Sequence, residues 1–216
     1  KMKADGVKNS LAFFTSIFSC YSGCRQYREN IAEAQTEIGE GAPSVNKIRM
    51  AFNHPLYIEA SVDRVRDAMN QITESRRDSI RFVFTAHSIP MSMAEGCKYS
   101  TQLTEACRLI MEGIGDQPWD LVYQSRSGPP MQPWLDPDVC DHLRTIKETD
   151  DVSEVVIMPV GFVSDHMEVL FDLDTEAKEV CDELGIEMAR AKSVGIHPSF
   201  IKMIRELILE RTTGTE

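Results

Sequence analysis

Short apolar runs alternate with stretches of helical periodicity along the whole chain. Residues 11–16 predict a strand, and a polar helix follows through residue 35. A short strand is expected over 46–50. Pro55 suits the first turn of a helix that carries Ile58, Val62, Val65 and Met69 on one face. The run IRFVFTAHS predicts a strand over 80–86, with a helix over 101–113 behind it. A strand over 120–124 is followed by a helix over 136–146, with Asp136 as N-cap and Pro137 at its first position. EVVIMPV predicts a buried strand over 154–160, and residues 165–184 predict a long helix closed by Gly185. A strand over 186–189 and an amphipathic helix over 197–210 complete the pattern. Residues 39–43 and 73–77 read as surface connections, and FNHP at 52–55 as a break between lobes. Regular strand–helix alternation implies an α/β fold with parallel sheets covered on both faces.

In such sheets, sites form beyond the carboxyl ends of the strands. Three strand ends carry reactive side chains: His87 in TAHSIP, Ser125 and Arg126 in YQSRSGP, and the cluster in GFVSDHME. At about 100° per residue, Asp165, Glu168, Asp172, Glu176 and Glu179 fall in one sector of about 80°. Val169, Leu173, Ala177, Val180 and Leu184 fall on the adjoining face. A solvated acidic face and a path for a hard cation both account for the stripe, because carboxylate oxygens are the preferred ligands of such ions.

Charge and cysteine usage narrow the classes. A formal net charge of -11 argues against nucleic acid as a partner. No apolar run approaches the roughly 18 residues that span a bilayer. The opening KMKADGVKNS has no signal-peptide pattern and no initiator Met, and it reads as a helix end leading into a strand, so a start in mid-domain is expected. The six cysteines form no paired C-x-x-C knuckles, which predicts free thiols in a reducing, cytoplasmic setting.

FTAHSIP, YQSRSGPPMQPWLDPDV and MPVGFVSDHMEVLFDLDTEAKEV resemble three signature segments of the ferrochelatase family, and FSCYSGCRQYREN resembles the segment after an earlier strand in some bacterial members. The resemblance runs in order along nearly the whole chain. It implies two Rossmann-like lobes around a porphyrin cleft, with the first lobe incomplete: residues 1–52 as its second half, 53–195 as the second lobe, and 196–216 as a helix packing back on the first. It implies a lyase-class metal chelatase that inserts Fe²⁺, as substrate, into protoporphyrin IX or coproporphyrin III. His87 and Glu168 fall on the catalytic positions and would also meet the metal, while Asp172 and Glu176 fall on a second metal position. Arg126 would partner a propionate, with Ser125 beside it.

His166 is expected to be structural or to stand behind these residues, pointing elsewhere on the helix. Trp134 is expected to be a packing anchor, and Glu179 ordinary solvated charge. Some members hold a [2Fe–2S] cluster; Cys24 fits the first ligand better than Cys20, but no cysteine follows Cys181, so no cluster is expected. Contact with a membrane surface or another haem-pathway enzyme stays open. The stretch alone would lack porphyrin contacts that longer members supply, and would be inactive by itself. Rival readings are a chelatase for another tetrapyrrole, such as sirohydrochlorin, and a non-catalytic porphyrin or metal carrier.

Overall fold

The computed structural model describes residues 1–213. β1 (Asn9–Ala12) pairs in parallel with β2 (Ser44–Lys47) in a two-stranded sheet. Between them run a π-helical turn (Tyr21–Arg25) and α1 (Gln26–Ile38). Both strands sit earlier than the apolar pattern suggests. The run 11–16 leaves the sheet after Ala12, and its Phe13, Thr15 and Ser16 line a cleft instead. Apolar character there serves packing and the cleft wall, not strand pairing.

α2 (Pro55–Met69) starts where its sequence requires. His54 Nδ1 accepts a hydrogen bond from the Leu56 amide at 3.2 Å, and Pro55 follows with its fixed φ. A 3₁₀ turn (Glu74–Ser79) leads into β3 (Arg81–His87). Then come α3 (Met91–Glu95), α4 (Tyr99–Glu112), β4 (Trp119–Gln124), α5 (Val139–Asp150) and β5 (Glu154–Met158). The helix after β5 is continuous but not uniform: α6 (Met167–Phe171), a π-helical stretch (Asp172–Ala177) and α7 (Lys178–Leu184). Gly185 closes it at φ +68°, as expected. β6 (Glu187–Arg190) and α8 (Pro198–Thr213) follow.

The second sheet has the order β4-β3-β5-β6, all parallel. Strand alternation divides its core cleanly. Phe82, Phe84, Ala86, Val156 and Met158 join one buried cluster with residues of α2, α4 and α8. Val83, Val155 and Ile157 join a second with residues of α5, α6 and α7. Both faces of β3 are therefore dry, which is why its sequence is a continuous apolar run and not an alternating one. Each fully buried side chain of this kind contributes about 1.5–3 kcal/mol.

The first cluster also takes in Ile17, Phe18, Ile48 and Ala51, so the small sheet's connections share a core with the large sheet. Phe18 meets Tyr57 and Tyr99 edge-on, with centroids at 6.4 and 6.3 Å. α8 lies mainly along α2. It also reaches the first segment, through Phe200 against Phe13 at 6.4 Å and the two-pronged Arg49–Glu210 ion pair at 2.8 and 2.9 Å.

Asp136 does not cap α5; Asp138 does, accepting from the Cys140 amide at 2.8 Å. The Tyr123 amide donates to Pro137 O at 2.9 Å, and Asp138 bridges in parallel to Tyr123. That pairing holds residues 137–138 extended beside β4, and the helix begins only at Val139. No helix among the described residues is long and apolar enough to cross a membrane.

Candidate active site

The connection from β3 leads to β4 on one side, and the chain from β4 crosses to β5 on the other. The loops leaving β3 and β5 therefore diverge, and a crevice opens between these neighbouring strand ends. His87 is the last residue of β3. Its backbone is fixed by the Tyr99 hydroxyl, which donates to His87 O at 3.1 Å. Its Nδ1 lies 2.5 Å from Ser88 O. A carbonyl can only accept, so Nδ1 carries the proton, and in the neutral ring Nε2 keeps a free lone pair.

That Nε2 faces Glu168 Oε1 at 3.5 Å across the crevice. Both side chains are reachable from solvent, at 34% and 52% exposure, so neither is a sealed core group. Glu168 stands in the first turn of α6. The chain reaches it from β5 through Gly161, whose amide donates to Thr85 O at 3.0 Å. A Cβ on Gly161 would lie 2.6 Å from the Ala86 Cβ and 2.8 Å from the Ala86 Cα. Only glycine lets the two strand ends come this close.

Asp165 leaves the predicted acidic face. It precedes the helix and accepts from the Ser193 amide at 3.0 Å, the Ser193 hydroxyl at 2.8 Å and Arg190 Nη1 at 3.1 Å. Burial alone would raise its carboxyl; the Ser193 and Arg190 donors outweigh that and hold it below its ordinary value. Arg190 also grips Asp174 in a fork, Nε to Oδ1 and Nη2 to Oδ2 at 3.0 Å.

Asp172 and Glu176 lie further along the helix. Asp172 Oδ2 accepts from Gln124 Nε2 at 3.0 Å and from the Ser125 hydroxyl. Gln124 is oriented in turn by Thr85, whose hydroxyl donates to Gln124 Oε1 at 2.7 Å. One oxygen of Asp172 is thus committed to β4, and no side chain among the described residues donates a hydrogen bond to the other. Glu176 is exposed, yet its carboxyl is raised, by partial burial first and then by the negative charges of Asp172, Asp138 and Glu179. Burial first, then the negative charges of Asp138 and Glu176, push the nearby Cys140 thiol up to about 12. Among the described residues, no three His, Cys, Asp or Glu side chains converge as a ready-made metal cage.

A cleft of about 1000 Å³ opens beside His87. Its walls are largely apolar, including Phe13, Ile89, Met93, Phe162, Ile196 and Ile204, with Ser88 and Tyr99 among them. Ser125 and Arg126 do not line it. Ser125 serves Asp172, and Arg126 is exposed, its Nη2 donating to Pro130 O and Gln132 O at 3.2 and 3.0 Å. Arg126 borders an adjoining cavity of about 450 Å³ that shares Ser88 and Trp134 with the cleft. Trp134 packs over Gly128 and lies between the two cavities.

His166 contradicts its expected orientation. It is exposed, faces the cleft, and meets Phe162 edge-on at 5.2 Å. The helix begins one residue after it, so helical phase does not govern where it points. Cys20 belongs to the buried core and also lines the cleft. Cys24 lies with Cys20 and Cys97 on a smaller neighbouring cavity of about 440 Å³, and all three thiols are free.

Comparison with known proteins bears on the fold and the family. The solved chelatase SirB from Bacillus subtilis, with Fe³⁺, matches with a TM-score of 0.68 over 99% of this chain and 77% of its own, at 11% identity. The sirohydrochlorin chelatase SirB from Bacillus subtilis subspecies spizizenii, with cobalt, matches with a TM-score of 0.57 over 96% and 72%, at 13% identity. At these identities they establish the fold as chelatase-like. By sequence, the chain is 59% identical over 211 residues to a ferrochelatase of Rhodopirellula baltica, covering 98% of this chain. It is 46% identical over 222 residues to a coproporphyrin III ferrochelatase of Nocardia farcinica, covering 99% of this chain. The chain spans 60% and 63% of the lengths of these two relatives. The ferrochelatase family model matches residues 1–212, and the chain belongs to the ferrochelatase family.

Proposed function

We propose that this chain carries the metal-inserting half of a ferrochelatase: the cleft seats a porphyrin, and His87 and Glu168 act on it while ferrous iron enters as substrate. The observation that carries the reading is the His87 Nε2–Glu168 Oε1 approach of 3.5 Å at the strand crevice, beside a largely apolar cleft of about 1000 Å³. Insertion requires two pyrrole N–H protons to leave as the metal binds. Nε2 accepts a proton because Nδ1 is held protonated by Ser88 O. The resulting imidazolium then faces the Glu168 carboxylate, which offsets its charge and can receive the proton in turn. The separation is longer than an ordinary hydrogen bond and would tighten when substrate excludes water.

The apolar wall suits a flat macrocycle, and the carboxylates of that substrate would project to the rim. Arg126, which borders the adjoining cavity, would meet one once its loop contacts yield. Asp172, with one oxygen still available, and Glu176 would form the outer carboxylate path for the cation. Ser125 supports Asp172 and is not assigned a substrate contact. Free thiols fit a reducing compartment and a cytoplasmic setting. The 46% identity to a coproporphyrin III ferrochelatase favours that porphyrin over protoporphyrin IX.

The test is an insertion assay on the complete protein with both porphyrins and ferrous iron. His87→Ala should lose insertion by at least about 10²-fold, the scale of a general base, with the circular dichroism unchanged. Glu168→Gln should retain the fold and slow turnover severely. An active His87→Ala protein would remove His87 from the mechanism.

A further inference from the structure

Glu168 sits near the start of a helix that lacks the usual cap. The N-cap position is His166, and its side chain makes no capping hydrogen bond. Something else must fix where the first turn begins. Asp165 lies three residues before Glu168 and is held by three donors, two from Ser193 and one from Arg190. The same guanidinium grips Asp174, six residues after Glu168, in a two-pronged pair. Its side chain is only 12% exposed, so it is packed as well as paired. Arg190 ends β6, the strand beside β5, and its own position is set by the parallel register Ile157↔Arg190. The loop beyond β6 adds a further tie, since the Gly195 amide donates to Val163 O at 2.9 Å.

We propose that Arg190, acting through Asp165 and Asp174, is a positioning residue for Glu168. It clamps the helix start and the π-helical stretch to one sheet edge, and so sets the His87–Glu168 separation. Arg190 touches neither residue of that pair and needs no contact with substrate. The bracket replaces the missing cap with an anchor on rigid sheet. A lysine could neutralise one carboxylate but not fork across both, because its ammonium is a point charge on a flexible stem. The inference rests on the assignment of Glu168 to the reaction, so its test carries a readout independent of activity.

Amide hydrogen exchange of residues 164–174 is measured in the complete protein for wild type, Arg190→Lys, Arg190→Met and Glu187→Gln. Glu187 lies at the far end of the same strand and pairs with Arg76 at 2.7 Å, so its variant controls for general loosening of β6. Exchange over 164–174 should rise at least about tenfold in Arg190→Met, less in Arg190→Lys, and remain at the wild-type rate in Glu187→Gln. Insertion kinetics on the same proteins should show kcat falling in that order, with the porphyrin KM within about twofold of wild type. Wild-type protection of 164–174 in Arg190→Met overturns the clamp. Equal loosening in Glu187→Gln would also overturn it, by showing a generic strand effect. Loosened exchange with unchanged kcat keeps the clamp but removes Glu168 from the reaction, and so separates the two failures.

Discussion

Gly161→Ala isolates one physical quantity, the closeness of two strand ends. The φ of Gly161 lies outside the left-handed region that favours glycine, so alanine brings no backbone strain of that kind. Only crowding changes. The new methyl would stand 2.6 Å from the Ala86 Cβ and 2.8 Å from its Cα, against an ordinary contact of about 3.5–4.0 Å. Part of the obstacle is backbone in a strand buried on both faces, so no flexible side chain can move aside. The strand ends must part by about 1 Å, and overpacking of this kind costs about 1–3 kcal/mol. At about 2–4 °C per kcal/mol for a chain of this size, Tm should fall by several degrees.

The displaced residue precedes His87 directly, and Gly161 leads toward Glu168. A shift of about 1 Å in their approach costs on the order of 10² in rate when a reaction depends on geometry. Differential scanning calorimetry and the insertion assay on the complete protein read the two effects. A variant with wild-type Tm and wild-type turnover would refute the claim that this contact sets the site. A lowered Tm with full turnover would keep the packing argument and refute its link to the reaction.

Two further expectations concern the carboxylates. The raised carboxyl of Glu176 means the folded state binds more protons than the unfolded one just above the ordinary value of 4.5, so this group's contribution to stability falls as pH rises through that window. Glu176→Gln should therefore stabilise the protein slightly at neutral pH, by a few tenths of a kcal/mol for an exposed like-charge group, while insertion weakens at limiting iron. Chemical denaturation and an iron titration check the pair; unchanged iron dependence would return Glu176 to ordinary surface charge. The lowered carboxyl of Asp165 works in the opposite sense: its stabilisation is present above the ordinary value of 3.8 and is lost as pH falls through the folded value. Asp165→Asn should cost about 2 kcal/mol at neutral pH and remove that part of the acid dependence, seen as a flatter stability curve below the ordinary value of 3.8. An unflattened curve would mean that the Arg190 and Ser193 contacts carry no net energy.

The sequence made the large sheet legible because β3 and β5 are buried on both faces, and only continuous apolar runs can fill such strands. His87, Glu168, Asp172 and Glu176 were legible as strand-end and helix-face residues. What they do to one another was not, because the hydrogen bonds from Gln124 and Ser125 to Asp172 depend on sheet order. The small strands were misplaced because the apolar residues just past their last paired positions serve other surfaces: Phe13 lines the cleft and Ile48 joins the buried core. Asp136-Pro137 reads as a helix start, yet pairing with Tyr123 delays the helix until Val139. Asp165 obeyed the arithmetic of an ideal helix that had not yet begun there. His166 was assigned a direction from the same helix that had not yet begun, and its proximity to Phe162 has no signature along the chain.

The π-helical stretch from Asp172 to Ala177 has a consequence for how this helix could change. A π turn holds one residue more than the α turn it replaces. Deleting a single residue there would let the helix close into a regular α ladder, with little local loss of backbone hydrogen bonding. Everything downstream, however, would rotate against Leu173 and Val180, which are anchored in the core. The stretch therefore acts as a phase adjuster: it lets Asp172 keep its hold on β4 while the far end of the helix packs on the sheet under a separate register.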